Sequence, residues 1–114
     1  PILHIRFHEI NPGQSSQVKH VMSVVGATVK AMDGVNPWGL YVNEFRQGYK
    51  IGRHIASVGF YKNWAEYDIK GTFKESFLKL HGDDSWDPFV KGMGSAFSNS
   101  WDEIWEYNSA LSGR

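Results

Sequence analysis

The sequence of 114 residues contains no cysteine, and its 12 basic and 12 acidic residues leave no formal net charge. Without cysteine the chain has no disulfide, no thiolate nucleophile and no cysteine-ligated metal. Without a basic excess it lacks the charge that attracts nucleic acid or an anionic membrane surface. No apolar run approaches the roughly 18 residues of a membrane-spanning helix. We therefore expect neither nucleic acid nor a membrane as a partner, and the compartment stays open.

Aromatic residues, in contrast, are abundant, with five Trp, five Tyr and seven Phe. Many of them are expected to form the core of one domain that spans residues 1–114. Others are expected to line a ligand cavity or a subunit interface, because Trp and Tyr combine an apolar body with a polar group.

The first strand is predicted at residues 3–8, where apolar and polar side chains alternate. Successive side chains of a strand point to opposite faces. One face carries Leu3, Ile5 and Phe7, and the other carries His4, Arg6 and His8. We expect the apolar face to pack against helices and the polar face to line a ligand cavity.

The remaining pattern predicts a helix, a hairpin, a second helical region and a last strand. The helix begins at Ser15 or Ser16, either of which can cap it, and ends at Gly34. Its apolar stripe comprises Val18, Val21, Met22, Val25, Val29 and Met32. The hairpin pairs residues 40–45 with 53–61. The second helical region runs from residue 63 to 97, and the last strand covers residues 100–107.

Two breaks are expected inside the second helical region, at Gly71 and at Gly82. Beyond Gly82, Asp87 can cap a short helix that has Pro88 at its first position. The element order is therefore β-α-β-β-α-β. This order predicts an α+β, ferredoxin-like fold, with a four-stranded antiparallel sheet and the helices on one face. The other face would expose aromatic side chains, so we expect two sheets to close face to face in a homodimer.

The chain resembles the dimeric α+β barrel superfamily, including its antibiotic-biosynthesis-monooxygenase and stress-responsive barrel groups. The resemblance lies in the opening strand, the Pro12-Gly13 turn before the helix, and the run from Lys62 to Tyr67 after an aromatic strand end. It implies a homodimer with a small-molecule pocket, either between sheet and helices or inside the barrel. A cofactor-free, monooxygenase-like reaction is the activity that it suggests, and a ligand-binding barrel without enzyme activity is the alternative.

The polar row His4, Arg6 and His8 provides the candidate catalytic residues. Imidazoles transfer protons near neutral pH, and Arg6 between them can hold an anionic or enolate oxygen. His4 and His8 lie about 13 Å apart along an extended strand and cannot share a metal ion. We therefore expect no metal and no cofactor.

Strand alternation also predicts which side chains face this row. Ser57, Tyr41, Asn43, Glu103 and Trp105 are assigned to the ligand cavity in this way, and Trp64 is added from the resemblance. The competing interpretation is that these polar groups pair with one another across a dimer interface.

Two further alternatives use other residues. Haem degraders of the superfamily have an Asn on the first strand, a Trp and a proximal His. Trp64 can take the Trp position, but His81 lies several residues beyond the expected His, and the first strand offers His4, Arg6 and His8 in place of the Asn. Pro1 followed by a strand and an amphipathic helix resembles the tautomerases, which use an N-terminal proline as general base.

Overall fold

The computed structural model describes residues 1–32, 37–42, 54–69 and 72–113. In chain order, its elements are β1 (Ile2–Ile10), α1 (Ser15–Ala31), β2 (Trp38–Val42), β3 (His54–Tyr61), α2 (Trp64–Tyr67), α3 (Phe73–His81), α4 (Trp86–Ala96) and β4 (Phe97–Glu106), with a 3-10 turn at Asp83–Ser85. The predicted order is confirmed, and the second helical region consists of three helices. Within the described part of the chain, no helix has the length and apolar character needed to cross a bilayer.

The strands form one antiparallel sheet in the order β2-β3-β1-β4. This is the ferredoxin-like α+β fold that the sequence predicts. The hairpin of β2 and β3 is confirmed, although Asn43 and Phe45 lie outside the described residues. The long strand β1 occupies the interior of the sheet, so its side chains have neighbours on both β3 and β4.

Two of the predicted helix caps are wrong. The cap position of α1 is Gln14, which makes no side-chain capping bond, and Ser15 is already the first helical residue. α4 begins at Trp86 because the 3-10 turn before it continues directly into the helix, which places Asp87 inside the first turn. The expected stop at Gly82 is confirmed, since α3 ends at His81 and Gly82 has a φ of 93°.

Asn63 caps the short helix α2, which stands above the first strand. The Asn63 side chain accepts a bond of 2.9 Å from the backbone N–H of Glu66, and the Glu66 carboxylate accepts one of 2.8 Å from the N–H of Lys62. Two backbone donors are thereby satisfied reciprocally, as in a capping box. These two capping hydrogen bonds fix the start of α2 and so position Tyr67, at its other end, over the sheet.

The core lies between α1, the end of α4 and one face of the sheet. Its buried residues are Val18, Val21, Met22, Ile55, Ala96 and Phe97. α1 and α4 approach closely at Gly92, where an added Cβ would lie 2.7 Å from the Gln17 amide nitrogen and 3.0 Å from Val21 Cγ1. A larger residue at this position would displace the Gln17 side chain and crowd Val21.

The predicted orientation of β1 is wrong. His8 lies opposite Ile55 in the ladder, and the ring centroids of His8 and Phe97 are 4.8 Å apart. Because Ile55 and Phe97 belong to the core beneath α1, the polar row lies on the helix side of the sheet. Leu3, Ile5 and Phe7 point to the other face. Crossover handedness fixes the side of the sheet on which α1 lies. The pairing register then turns the even-numbered residues of β1 to that side, together with Ile55 and Ser57.

Candidate functional site

The helix side of the sheet carries a cleft of about 180 Å³. Its lining residues come from β1, β2 and β3: His4, Arg6, Trp38, Ser57, Gly59 and Tyr61. Gly59 lies opposite His4 on one neighbouring strand and opposite Trp38 on the other. The cleft therefore crosses three strands, with the backbone of Gly59 as its floor.

Arg6 and Asp102 form the strongest polar contact beside this cleft. Arg6 Nε donates to Asp102 Oδ1 at 2.7 Å, and Nη2 donates to Oδ2 at 3.0 Å. These hydrogen bonds lower the pKa of Asp102 to about 2, and the bond to Asp102 raises the pKa of Arg6. The fork uses Nε and Nη2, so Nη1 lies outside it. Because Arg6 also lines the cleft, its remaining donors are available to a ligand oxygen.

His4 lies between a phenol and a carboxylate. Tyr67 Oη is 3.4 Å from His4 Nδ1, and the two rings are 5.7 Å apart. His4 Nε2 is 3.2 Å from Asp102 Oδ1, but this buried nitrogen has no hydrogen bond of acceptable geometry. His4 Nε2 and the Asp102 carboxylate therefore lie within ion-pair distance of each other.

Two tyrosines meet at the apolar end of the cleft. Tyr61 and Tyr67 have their rings 5.2 Å apart in an edge contact. Burial raises the pKa of Tyr61, and the neighbouring Tyr67 adds to this effect. Tyr61 therefore stays a neutral phenol that can donate a hydrogen bond into the cleft.

His8 is buried, with only 5% of its surface exposed. Its Nδ1 is 3.0 Å from Ser100 Oγ, and its Nε2 is 3.5 Å from Ser57 Oγ. Burial lowers the pKa of His8, and the charge of Arg6 lowers it further. A neutral imidazole held between two hydroxyls supports the wall behind Ser57, but it is not among the residues that line the cleft.

Ser57 joins His4 and Arg6 in the cleft, whereas three other predicted ligand-binding residues do not. Tyr41, Glu103 and Trp105 lie opposite Ala56, Ile5 and Leu3 and share the other face of the sheet. Trp64 is about half exposed on α2, where its ring makes an edge contact with Tyr67 at 5.7 Å. Asn43 falls outside the described residues.

The assignment of Glu103 and Trp105 to the polar row is wrong because directly opposed residues of an antiparallel ladder share a face. Asp102 is opposite Arg6, so the even-numbered residues of β4 accompany the row. Five residues at the site were not predicted from the sequence: Asp102, Trp38, Gly59, Tyr61 and Tyr67. The sequence shows an acidic residue, Asp102, next to Trp101. Only the register of β1 with β4 identifies it as the partner of Arg6.

The opposite face of the sheet carries an aromatic surface, which consists of Phe7, Tyr41, Trp101 and Trp105 around Glu103. Both indole N–H groups donate to the Glu103 carboxylate, from Trp101 at 3.3 Å and from Trp105 at 2.9 Å. Phe7 stacks on Trp101 with ring centroids 5.1 Å apart. Trp105 and Tyr41 remain more than half exposed.

The residues of the two further alternatives are not brought to the polar row. His81 Nε2 is 3.1 Å from Thr28 Oγ1. The His81 side chain lines a separate cleft beside α1, and Trp64 is not among the residues that line that cleft. Pro1 is exposed, and its carbonyl accepts from the N–H of Tyr107 at 3.0 Å. Among the described side chains, no three His, Asp or Glu residues cluster as metal ligands.

No family model matches this chain, and no curated protein matches it. Solved structures do match over almost its full length. A NIPSNAP-like domain protein from Burkholderia xenovorans, described as uncharacterised, has a TM-score of 0.59 at 11% identity, with 99% of this chain and 89% of that chain covered. A candidate antibiotic biosynthesis monooxygenase from Bordetella bronchiseptica has a TM-score of 0.53 at 11% identity, with 94% and 96% covered.

A third match is described as a dimeric ferredoxin-like protein of unknown function from Thermobifida fusca. Its TM-score is 0.56 at 9% identity, and the alignment covers 93% of this chain and 90% of that chain. These likenesses establish the ferredoxin-like α+β fold and confirm the resemblance at that level. The identities are too low to transfer an activity.

Proposed function

We propose that this chain is a homodimeric α+β barrel that binds a small organic molecule in the cleft beside Arg6 and transforms it in a cofactor-free, monooxygenase-like reaction. The observation that carries the proposal is the joining of His4, Arg6, Asp102 and Tyr67 into one polar system at the edge of that cleft. Such a system combines a proton acceptor with a cationic donor. The candidate monooxygenase among the structural matches supports the reaction type.

The proposed dimer follows from the aromatic surface. Phe7, Trp101 and Trp105 form a broad apolar area on the sheet face away from α1, and such areas mark interfaces. Two copies packed through this face would bury the indole rings and leave both clefts on the outer, helix-covered sides. The match described as dimeric has the same fold.

The proposed chemistry assigns separate roles to His4 and Arg6. His4 removes a proton from an activated CH₂ group of the substrate, and Arg6 stabilises the oxygen on which the resulting negative charge accumulates. The carbanion then gives electrons to dioxygen. One oxygen atom becomes a carbonyl on the substrate carbon. The other leaves as water, with both hydrogens of the CH₂ group or, for a hydroxyarene, with the ring hydrogen and the hydroxyl hydrogen, so that no external reductant is consumed.

Oxygen uptake with a panel of enolisable ketones and hydroxyarenes tests this proposal. His4→Gln and Arg6→Gln should abolish uptake that the parent protein supports, while Lys19→Gln should retain it. Lys19 is an exposed cation on α1 and serves as the charge-matched control. Uptake that survives both cleft variants would contradict the assignment.

The second candidate function is ligand binding without turnover. It is favoured by the Arg6–Asp102 fork, because a guanidinium that already has a carboxylate partner can serve as a fixed donor without taking part in a reaction. Binding of panel members without oxygen uptake would establish this candidate in place of the enzyme.

A further inference from the structure

The cleft has an apolar end built from two rings. Trp38 on β2 lies opposite Gly59, and Tyr61 follows two residues later on the same face of β3. The Tyr61 ring leans back over the glycine, since a Cβ added at Gly59 would lie 3.0 Å from both Tyr61 Cε2 and Tyr61 Oη. Two flat side chains, one of which covers the glycine of the floor, form a surface on which a planar ring packs.

The other end of the cleft offers hydrogen-bond donors. Arg6 and Ser57 face each other there in the ladder, and His4 is next along the row. Asp102, the acidic neighbour, is not among the lining residues, and both of its oxygens already accept from Arg6. A cation with hydroxyl and imidazole groups around it favours a ligand oxygen that carries negative charge.

The size of the cleft limits the ligand. Its volume of about 180 Å³ is close to the roughly 150 Å³ of an apolar protein cavity that holds one benzene molecule. One ring with one or two small substituents fits this space. A fused three-ring system requires far more.

We infer that the cleft takes a single-ring phenol, bound as the phenolate with its oxygen at Arg6 and its ring beside Trp38 and Tyr61. This inference rests on the proposed function, because it names the ligand class of the same cleft. The ring contacts supply affinity, and the guanidinium selects the ionised oxygen. Selection of the anion lowers the pH at which the bound phenol loses its proton.

4-Nitrophenol tests the inference directly, since only its phenolate is yellow. Titration with the protein at a pH below the midpoint of the free phenol should turn the solution yellow as the bound phenolate accumulates. 4-Nitroanisole, which has the same ring but no ionisable oxygen, should bind at least about tenfold more weakly, as expected for loss of a charge-assisted hydrogen bond. A hydroxyanthracene should bind more weakly than 4-nitrophenol, because two of its rings would extend beyond the cleft.

Matched variants locate the binding. Arg6→Gln should lose about tenfold in affinity together with the colour change, whereas Lys19→Gln should behave as the parent protein. Gly59→Ala should block binding, because its Cβ meets Tyr61 on the cleft floor. Gly39→Ala is the control: Gly39 lies on the other face, and its added Cβ meets Tyr41 at 3.2 Å.

Equal affinity for 4-nitroanisole, tight binding of hydroxyanthracene, or equal losses in Arg6→Gln and Lys19→Gln would overturn the inference. Circular dichroism of each variant shows that a loss of binding is not a loss of folding. The binding assay requires no turnover. Phenolate binding without oxygen uptake would refute the proposed reaction but not the inference. Oxygen uptake on larger substrates without phenolate binding would refute the inference but not the proposed reaction.

Discussion

Arg6 and Asp102 lie directly opposite each other on β1 and β4 and form a two-bond fork, with Nε to Oδ1 at 2.7 Å and Nη2 to Oδ2 at 3.0 Å. Both partners belong to one chain, and their side chains are 52% and 42% exposed. Within the chain, this ion pair is therefore partly exposed and is not a buried network. The Asp102 carboxylate holds the guanidinium plane of Arg6 in place at the edge of the cleft.

Arg6→Ala should lower the free energy of unfolding only slightly, by about 0 to 1 kcal/mol, because solvent screens an exposed ion pair. Urea unfolding of the parent and variant proteins measures this difference. A loss of about 3 to 5 kcal/mol would indicate instead that a buried carboxylate has been left without its partner. Lys19→Ala, which removes an exposed cation elsewhere, provides the baseline.

Acid should weaken the fold in part through Asp102. Arg6 holds the folded-state pKa of this carboxyl at about 2, below its ordinary value of 3.8. The ionised form stabilises the fold above about pH 4, and this contribution is lost as the pH falls through the window toward 2. Asp102→Asn should therefore flatten the decline of stability in that window, measured by urea unfolding at a series of pH values. A variant of the exposed residue Asp84, Asp84→Asn, should keep the slope of the parent protein.

His8→Ala should be more damaging than Arg6→Ala, because it empties a buried position and leaves Ser57 and Ser100 without their imidazole partner. We expect a loss of about 1 to 3 kcal/mol. Unfolding curves recorded side by side for the two variants test the order. Equal, negligible losses would show that His8 is not part of the structural support of the cleft.

The same histidine should also make stability depend on pH. Its folded-state pKa lies below the ordinary 6.5, so the unfolded chain binds the proton more readily. Stability contributed by neutral His8 is complete above about pH 6.5 and declines as the pH falls toward the folded-state pKa. His8→Gln should show a smaller decline between neutral pH and pH 5 than the parent protein. An unchanged decline would assign it to other groups.

Trp105→Glu should dissociate the proposed dimer, because it places a charge on the aromatic surface. Light scattering should give twice the chain mass of 13.0 kDa for the parent protein and a single chain mass for the variant. Ile104→Glu is the matched control, since Ile104 is the preceding residue, is 46% exposed and points to the other face. A parent protein that scatters as a monomer at micromolar concentration would refute the dimer.

The alternation of residues 3–8 determined that β1 has one polar and one apolar face, and the spacing of turns and apolar stripes determined the order of strands and helices. These are local properties, since each depends on residues close together in the chain. The sequence could therefore place His4, Arg6 and His8 on one face and include Ser57 with them.

The tertiary structure decided which face the helices cover and which residues meet across the sheet. The register of β1 with β3 turned the polar row to the side that α1 covers, and the register of β1 with β4 brought Asp102, 96 positions away, to Arg6. The tertiary structure also gives the two histidines different surroundings. His4 lines the cleft, whereas Ile55 and Phe97 enclose His8. A shift of one residue in that register would have put Glu103 beside the row instead, since side chains alternate with a period of two.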